Sequence, residues 1–68
     1  MTRLELEALN FGDLVKFDRV SVKQLWIMLG DCRAVLVHSN QPSDHQYVNH
    51  EFCLRFFESH CHLLSLAG

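Results

Sequence analysis

The last third of the chain, residues 47–66, is the feature that most restricts how this protein can fold. At helical spacing its apolar residues collect on one side and its polar residues on the other, with Leu54, Cys61 and Leu66 as exceptions. This periodicity is typical of an amphipathic helix packed on a core. Ser43 and Gln46 match a capping box just before this stretch. The sequence therefore predicts a helix from about residue 44 to residue 64.

The preceding residues favour a short antiparallel sheet. Apolar and acidic residues alternate over 3–9, which indicates a strand, although a short helix capped by Thr2 fits the same residues. Further strands are predicted near 14–18, 24–29 and 33–38, and Gly30 with Asp31 matches a tight hairpin turn. A helix over 22–29 remains the alternative for the third segment. The predicted fold class is α+β, with three or four strands covered by the C-terminal helix.

A second fold is compatible with parts of the sequence. The segment FGDLVKF, followed by a hairpin and a further strand, is similar to the start of many small SH3-like barrels. In that alternative, residues 51–56 (EFCLRF) form a strand, because their apolar and polar side chains also alternate locally.

The predicted helix is long for so small a protein. It would span about 31 Å at the standard helical rise, whereas a compact domain of 68 residues has a diameter of about 28 Å. The helix must therefore break near Ser59 and His60 or lie against another subunit. Together with a hydrophobic content of 49%, this predicts a single domain that forms a homo-oligomer. The predicted interface residues are Trp26, Phe52, Phe56, Phe57 and Leu63.

Charge and hydropathy restrict the partners and the location. The formal net charge is −2 and there is no basic block, which argues against nucleic acid as a partner. Nucleic-acid binding is the second alternative function. It would use a helix-turn-helix over SVKQLWIMLGDCRAV or a small barrel. Residues 1–20 lack the apolar core of a signal peptide, and no apolar run is long enough to span a membrane. We therefore expect a cytoplasmic protein with no membrane association.

Motifs for catalysis or metal binding are missing from the sequence. There is no CxxC or HxxxH pair, so we predict no metal, no cofactor and no catalytic residue. If these residues have only structural roles, Cys53 lies in the core, Cys61 lies at its boundary, and His50 and His62 lie in solvent. Cys32 is then more exposed, in a turn.

Two functions follow from these observations. The favoured one is a non-enzymatic binding or assembly module that self-associates through an apolar helix face, with another protein as a further possible partner. The alternative is a small-molecule or enzymatic site at a subunit interface, for which His50, His60 and His62 are the candidate ligand-binding residues.

Overall fold

Five short strands form the framework of the computed structural model. It describes residues 1–67, and the side chain of Phe56 lies outside this description. A short helix, α1 (Arg3–Glu7), precedes the strands β1 (Leu14–Arg19), β2 (Val22–Gly30), β3 (Arg33–Ser39), β4 (Glu51–Cys53) and β5 (Leu64–Leu66). A first 3₁₀ helix (Pro42–Tyr47) connects β3 to β4, and a second (Leu54–Leu63) connects β4 to β5.

The strands form one antiparallel sheet in the order β4-β3-β2-β1-β5. The second 3₁₀ helix joins the two edge strands and contacts β1, β3 and β5 on its way. It therefore covers one face of the sheet while linking its opposite edges. This arrangement is compatible with the small-barrel alternative.

The predicted helix from 44 to 64 is wrong. The chain becomes extended at Val48 (φ −61°, ψ 134°), takes a positive φ of 72° at Asn49, and then forms β4. β4 pairs with the outer edge of β3, and the Leu36 amide donates to the His50 carbonyl at 3.2 Å. Pairing the apolar strand β3 outweighs the helical pattern, because unpaired backbone groups beside a core are costly. The second 3₁₀ helix is itself interrupted at His60 (φ −127°, ψ 26°).

The predicted strand at 3–9 is also wrong, and the competing helix forms instead. The Glu5 amide donates to Thr2 Oγ1 at 3.1 Å, and the Thr2 amide donates to Glu5 Oε1 at 2.9 Å. This reciprocal capping box satisfies donors that the first turn leaves unpaired. Leu6 then enters the core with no exposed surface.

The three central strands confirm the predictions near 14–18, 24–29 and 33–38, and the helix alternative for 22–29 is wrong. The hairpin turn between β2 and β3 lies one residue later than predicted. Its central residues are Asp31 (φ 52°) and Cys32 (φ 57°), because Gly30 still pairs with Arg33.

The core lies between the inner face of the sheet and the helical segments. Each central strand contributes side chains at alternate positions, as a half-buried sheet requires. The buried apolar residues are Leu6, Val15, Phe17, Trp26, Met28, Cys32, Ala34, Leu36, Leu54, Cys61 and Leu64. Within the described part of the chain, no helix has the length and apolar character needed to cross a membrane.

Candidate aromatic groove

A pocket walled by aromatic side chains opens between the first 3₁₀ helix and the inner face of the sheet. Its volume is about 170 Å³. We call it the aromatic pocket, and its lining residues are Gln24, Trp26, Leu36, Asp44, Tyr47, Phe52 and Phe57. β2, β3, β4 and both 3₁₀ helices supply these side chains, so the pocket depends on the assembled fold.

The rings of the aromatic pocket stand at steep angles to one another. Phe52 lies edge-on to Trp26 (centroids 5.7 Å apart, 89°) and to Tyr47 (5.9 Å, 78°). Phe57 lies 6.3 Å from Trp26 at 71°. Such edge-to-face contacts are favourable for aromatic quadrupoles. They also turn the walls in different directions, so that the rings enclose a space rather than stack into a solid layer.

The rings of the aromatic pocket differ in how much of their surface is exposed to solvent. Trp26 is 4% exposed and belongs to the core, whereas Tyr47 is 45% exposed and stands at the rim. Phe52 and Phe57 are half-buried between them. A ligand can therefore reach Tyr47, Phe52 and Phe57 from solvent, whereas Trp26 is almost fully covered.

A chain of hydrogen bonds fixes the polar side of the aromatic pocket. Asp44 Oδ2 accepts from Ser39 Oγ at 2.8 Å and from Gln24 Nε2 at 3.0 Å. Gln24 Oε1 in turn accepts a longer bond of 3.3 Å from Trp26 Nε1. Ser39 is buried, and its hydroxyl also accepts from the Gln41 amide at 3.1 Å. The network ties the first 3₁₀ helix to β2 and β3 and holds the Asp44 carboxylate in place.

Among the described residues, the Asp44 carboxylate has no cationic partner. No Lys, Arg or His nitrogen of the described residues lies within ion-pair distance of it, although other carboxylates, such as Asp18 and Glu58, do have such partners. Asp44 is half-buried beside aromatic rings. Its charge is therefore satisfied by neutral donors alone, which leaves the pocket with a local negative potential.

A second pocket of about 160 Å³ adjoins the first and shares Phe57 as a wall. We call it the basic pocket, and it is lined by Phe17, Arg19, Phe57, His60 and Leu63. Among the described residues Arg19 has no ion pair, which mirrors the situation of Asp44. The two pockets share Phe57, and we call them together the groove. Within residues 1–67, Asp44 on one side of it and Arg19 on the other have no ion-pair partner.

The predicted interface residues fall mainly in this groove. Trp26, Phe52 and Phe57 line the aromatic pocket, while Phe57 and Leu63 line the basic pocket. The side chain of Phe56 lies outside the described residues. Contact of these residues with a second copy of the chain stays a prediction, although the helix face on which it was based does not exist.

The predicted ligand-binding histidines do not converge in the described structure. His50, His60 and His62 are all exposed. The rings of His60 and His62 lie 6.3 Å apart in a stacked arrangement, and His50 precedes β4 at a separate position. Over residues 1–67 no three His, Cys, Asp or Glu side chains are grouped as a metal site would require. A site completed by another subunit stays a prediction.

The cysteines differ from their predicted environments. Cys53 is exposed rather than in the core, and Cys32 is buried rather than exposed. Burial raises the pKa of the Cys32 thiol, which disfavours the nucleophilic thiolate. Cys61 is buried, and its Sγ donates to the Glu58 carbonyl at 3.2 Å. The two buried thiols therefore act as core side chains.

Sequence reasoning missed Asp44, Tyr47, Gln24 and Arg19 as groove residues. Asp44 and Tyr47 were assigned to a helix that does not form. One signal was present, because Gln24 and Trp26 lie two apart on a predicted strand and so share a face. A polar residue beside a tryptophan on the buried face of a strand indicates a specific hydrogen-bonding role.

Comparison with protein-family models, with curated proteins and with solved structures found no match to this chain.

Proposed function

We propose that this protein is a small non-enzymatic binding module that holds a segment of a partner protein in the groove across Phe57. The observation that carries the proposal is the unpaired Asp44 carboxylate inside a pocket with four aromatic walls. Aromatic-lined grooves with a few fixed polar groups are typical recognition sites for extended peptides.

The aromatic pocket favours a cationic side chain over a neutral apolar one. Aromatic faces attract cations through their quadrupoles, and this attraction grows when water is excluded. The Asp44 carboxylate adds a direct Coulombic contribution in a half-buried setting, where screening is weaker than at open surface. A neutral guest would gain only apolar burial and would leave the carboxylate unpaired.

The basic pocket offers the ligand a second charged contact, in addition to the one for its cation. Arg19 presents a guanidinium suited to a carboxylate, and Phe57 is a wall of both pockets. In an extended peptide, side chains two positions apart point the same way and lie about 6.6 Å apart. A segment of the form Lys-x-Glu therefore matches the charge pattern of the groove.

The test is an NMR titration with short capped peptides containing Lys-x-Glu, Lys-x-Gln or Gln-x-Glu. We expect Lys-x-Glu to bind most tightly and to shift the indole resonance of Trp26, the only tryptophan of the chain. Shifts confined to residues outside the groove, or equal binding of all three peptides, would contradict the proposal.

Charge-neutral variants locate the two ends of the ligand. Asp44→Asn keeps an oxygen that can accept from Gln24 and Ser39, so the fold is retained while the charge is lost. We expect it to weaken Lys-x-Glu binding about tenfold, equivalent to about 1.4 kcal/mol. The matched control is Asp31→Asn in the exposed hairpin turn, which removes the same charge away from the groove.

At the other end, Arg19→Gln should abolish the preference for Lys-x-Glu over Lys-x-Gln. Lys16→Gln is the control for this loss of positive charge. Lys16 alternates with the inward-facing Val15 and Phe17, so it lies on the outer face of β1. A preference that survives Arg19→Gln would show that the peptide carboxylate binds elsewhere.

Self-association is the second candidate function, and the open sheet edges favour it. In the sheet formed by residues 1–67, β4 and β5 each pair with one neighbour, and an edge strand can pair with the edge of another copy. Because the His50 carbonyl faces β3, alternation along the strand directs the Glu51 amide away from β3.

Light scattering at increasing protein concentration tests this second candidate. If copies pair through β4, Glu51→Pro should yield a folded monomer, because proline removes only the outward amide. Glu51→Ala is the control, since it loses the same ion pair with Arg33 but keeps the amide. A protein that is monomeric at all concentrations would rule this function out.

A further inference from the structure

We propose that the cation taken by the aromatic pocket is a quaternary ammonium, namely the side chain of a trimethylated lysine in the partner segment. This inference rests on the proposed function and specifies its ligand. It follows from three properties of the pocket: the placement of its acceptors, its size and the arrangement of its rings.

The hydrogen-bond acceptors of the aromatic pocket are confined to its polar side. A primary ammonium is strongly hydrated and brings three N–H donors. Asp44 Oδ2 already accepts two bonds. Four of the seven lining side chains offer no acceptor, namely Trp26, Leu36, Phe52 and Phe57. A donor that gives up water against an apolar wall is costly, whereas a quaternary ammonium has no N–H group to satisfy.

The size of the aromatic pocket suits a trimethylammonium group. Its 170 Å³ correspond to the liquid volume of about five or six water molecules. A nitrogen with three methyl groups and one methylene places five heavy atoms in that space. A planar guanidinium also fits by volume, but it brings five N–H donors, several of which would face walls without acceptors.

The ring arrangement surrounds a cation from several directions. Phe52 stands at 89° to Trp26 and at 78° to Tyr47, so its neighbours do not lie parallel to it. Methyl groups spread the positive charge over a rounded surface that can contact several rings at once. Asp44 adds a carboxylate at the polar side without needing a direct hydrogen bond. The pocket therefore combines charge complementarity with apolar contact, as methylated ammonium groups require.

The ligand is assigned to a peptide rather than to free choline because the groove continues past Phe57 to Arg19. A free cation would fill the aromatic pocket alone and leave the Arg19 guanidinium unpaired. A trimethyllysine followed by an acidic residue occupies both pockets of the groove.

The experiment compares four probes by NMR titration of the full chain. Three are Lys-x-Glu peptides that carry lysine, trimethyllysine, or the carbon isostere in which a tert-butyl group replaces the trimethylammonium. The fourth is choline. We expect the trimethyllysine peptide to bind about tenfold more tightly than either other peptide, because only it combines charge with a lack of N–H donors. Choline should bind more weakly than that peptide and shift only residues of the aromatic pocket.

Each other outcome has a defined meaning. Equal binding of trimethyllysine and its carbon isostere would overturn the cation assignment and leave an apolar site. Tighter binding of unmodified lysine would overturn the quaternary preference but keep the proposed function. Choline binding as tightly as the peptide would overturn the peptide assignment. No groove shift with any probe would overturn both this inference and the proposed function.

Two variants of Tyr47, at the rim of the aromatic pocket, distinguish the contribution of its ring to binding from that of its hydroxyl. Tyr47 is 45% exposed, so both variants should fold, as an unchanged dispersion of amide resonances would verify. Tyr47→Ala should weaken binding of the trimethyllysine peptide about tenfold, whereas Tyr47→Phe should retain it, because only the ring contacts the methyl groups. Equal losses in both variants would assign the contact to the hydroxyl and overturn the inference.

Discussion

Val20 holds a backbone conformation that suits its side chain poorly. It lies in the turn between β1 and β2 with a φ of 45°, and its side chain is 94% exposed. A β-branched residue pays a steric penalty in the left-handed region, and nothing is gained here by burial. The turn therefore contains strain that its surroundings do not offset.

Val20→Gly should raise the free energy of unfolding by about 1 kcal/mol, because glycine adopts positive φ without a Cβ clash. Urea denaturation monitored by circular dichroism measures this change. Val37→Gly is the control, since Val37 is an exposed valine of β3 without positive φ and should lose stability instead. Equal losses in both variants would contradict the assignment of strain to Val20.

The Glu5 carboxylate makes the stability of the first turn of α1 depend on pH. Hydrogen bonds from the Thr2 backbone and side chain lower the pKa of Glu5 below its ordinary value of 4.5. A lowered pKa means that the folded state favours the carboxylate. The stabilising contribution is therefore present above pH 4.5 and is lost as the pH falls through the lowered pKa.

Glu5→Gln should consequently destabilise the protein more at pH 6 than at pH 2.5. The difference in unfolding free energy between the two proteins, measured by urea denaturation across this range, should narrow as pH falls. A difference that stays constant over the range would show that the carboxylate charge has no part in the capping box.

At the scale of elements, the central strands could be predicted and the C-terminal segment could not. β1, β2 and β3 follow from local apolar runs bounded by turn residues. The stretch 47–66 obeys helical spacing, yet two of its three exceptions, Leu54 and Cys61, are buried in the core. Those exceptions indicated that the helical face was wrong. The decisive interaction is pairing with β3, which is distant in sequence and invisible to a local pattern.

The candidate site was predictable only in its apolar part. Trp26, Phe52 and Phe57 were identified because large aromatic side chains dominate small cores and interfaces. Asp44 was recognised as a residue that starts a helix, but its position beside Gln24 depends on the packing of a 3₁₀ helix against β2. Side-chain contacts between separate elements cannot be derived from spacing within one of them.

The backbone conformation at Asn49 is incompatible with the predicted helix, and substitutions at this position test its contribution to stability. Its φ of 72° places it in the left-handed region just before β4, where Asn and Gly are tolerated better than other residues. Asn49→Ala should lower the unfolding free energy by about 1 kcal/mol, and Asn49→Gly should be neutral or stabilising. Thermal and urea unfolding of the pair measure the contrast. Equal stability of the two variants would show that the positive φ at residue 49 carries no penalty for alanine.

At the scale of the whole molecule, stability depends on a core that is small for five strands. A 68-residue chain has little reserve, so single core deletions should be severe. Leu54 has no exposed surface and joins β4 to the second 3₁₀ helix. It therefore connects the sheet to the segment that covers it.

Leu54→Ala should cost about 2–5 kcal/mol through lost burial and the cavity left behind. We expect the variant to be largely unfolded at 37 °C, with collapsed dispersion of its amide resonances. Leu66→Ala is the matched control, because Leu66 is 59% exposed and should lose less than about 1 kcal/mol. Near-equal losses would contradict the described core.

The position of Phe57 has a consequence for how the two halves of the groove respond to each other. One ring forms a wall of both pockets, so a rotation of that ring transfers volume from one to the other. Any guest that displaces it alters the affinity of the neighbouring pocket. By thermodynamic linkage the effect must be equal in both directions. The cationic and acidic parts of a ligand would then not bind independently, and their separate affinities would not add up to that of the whole.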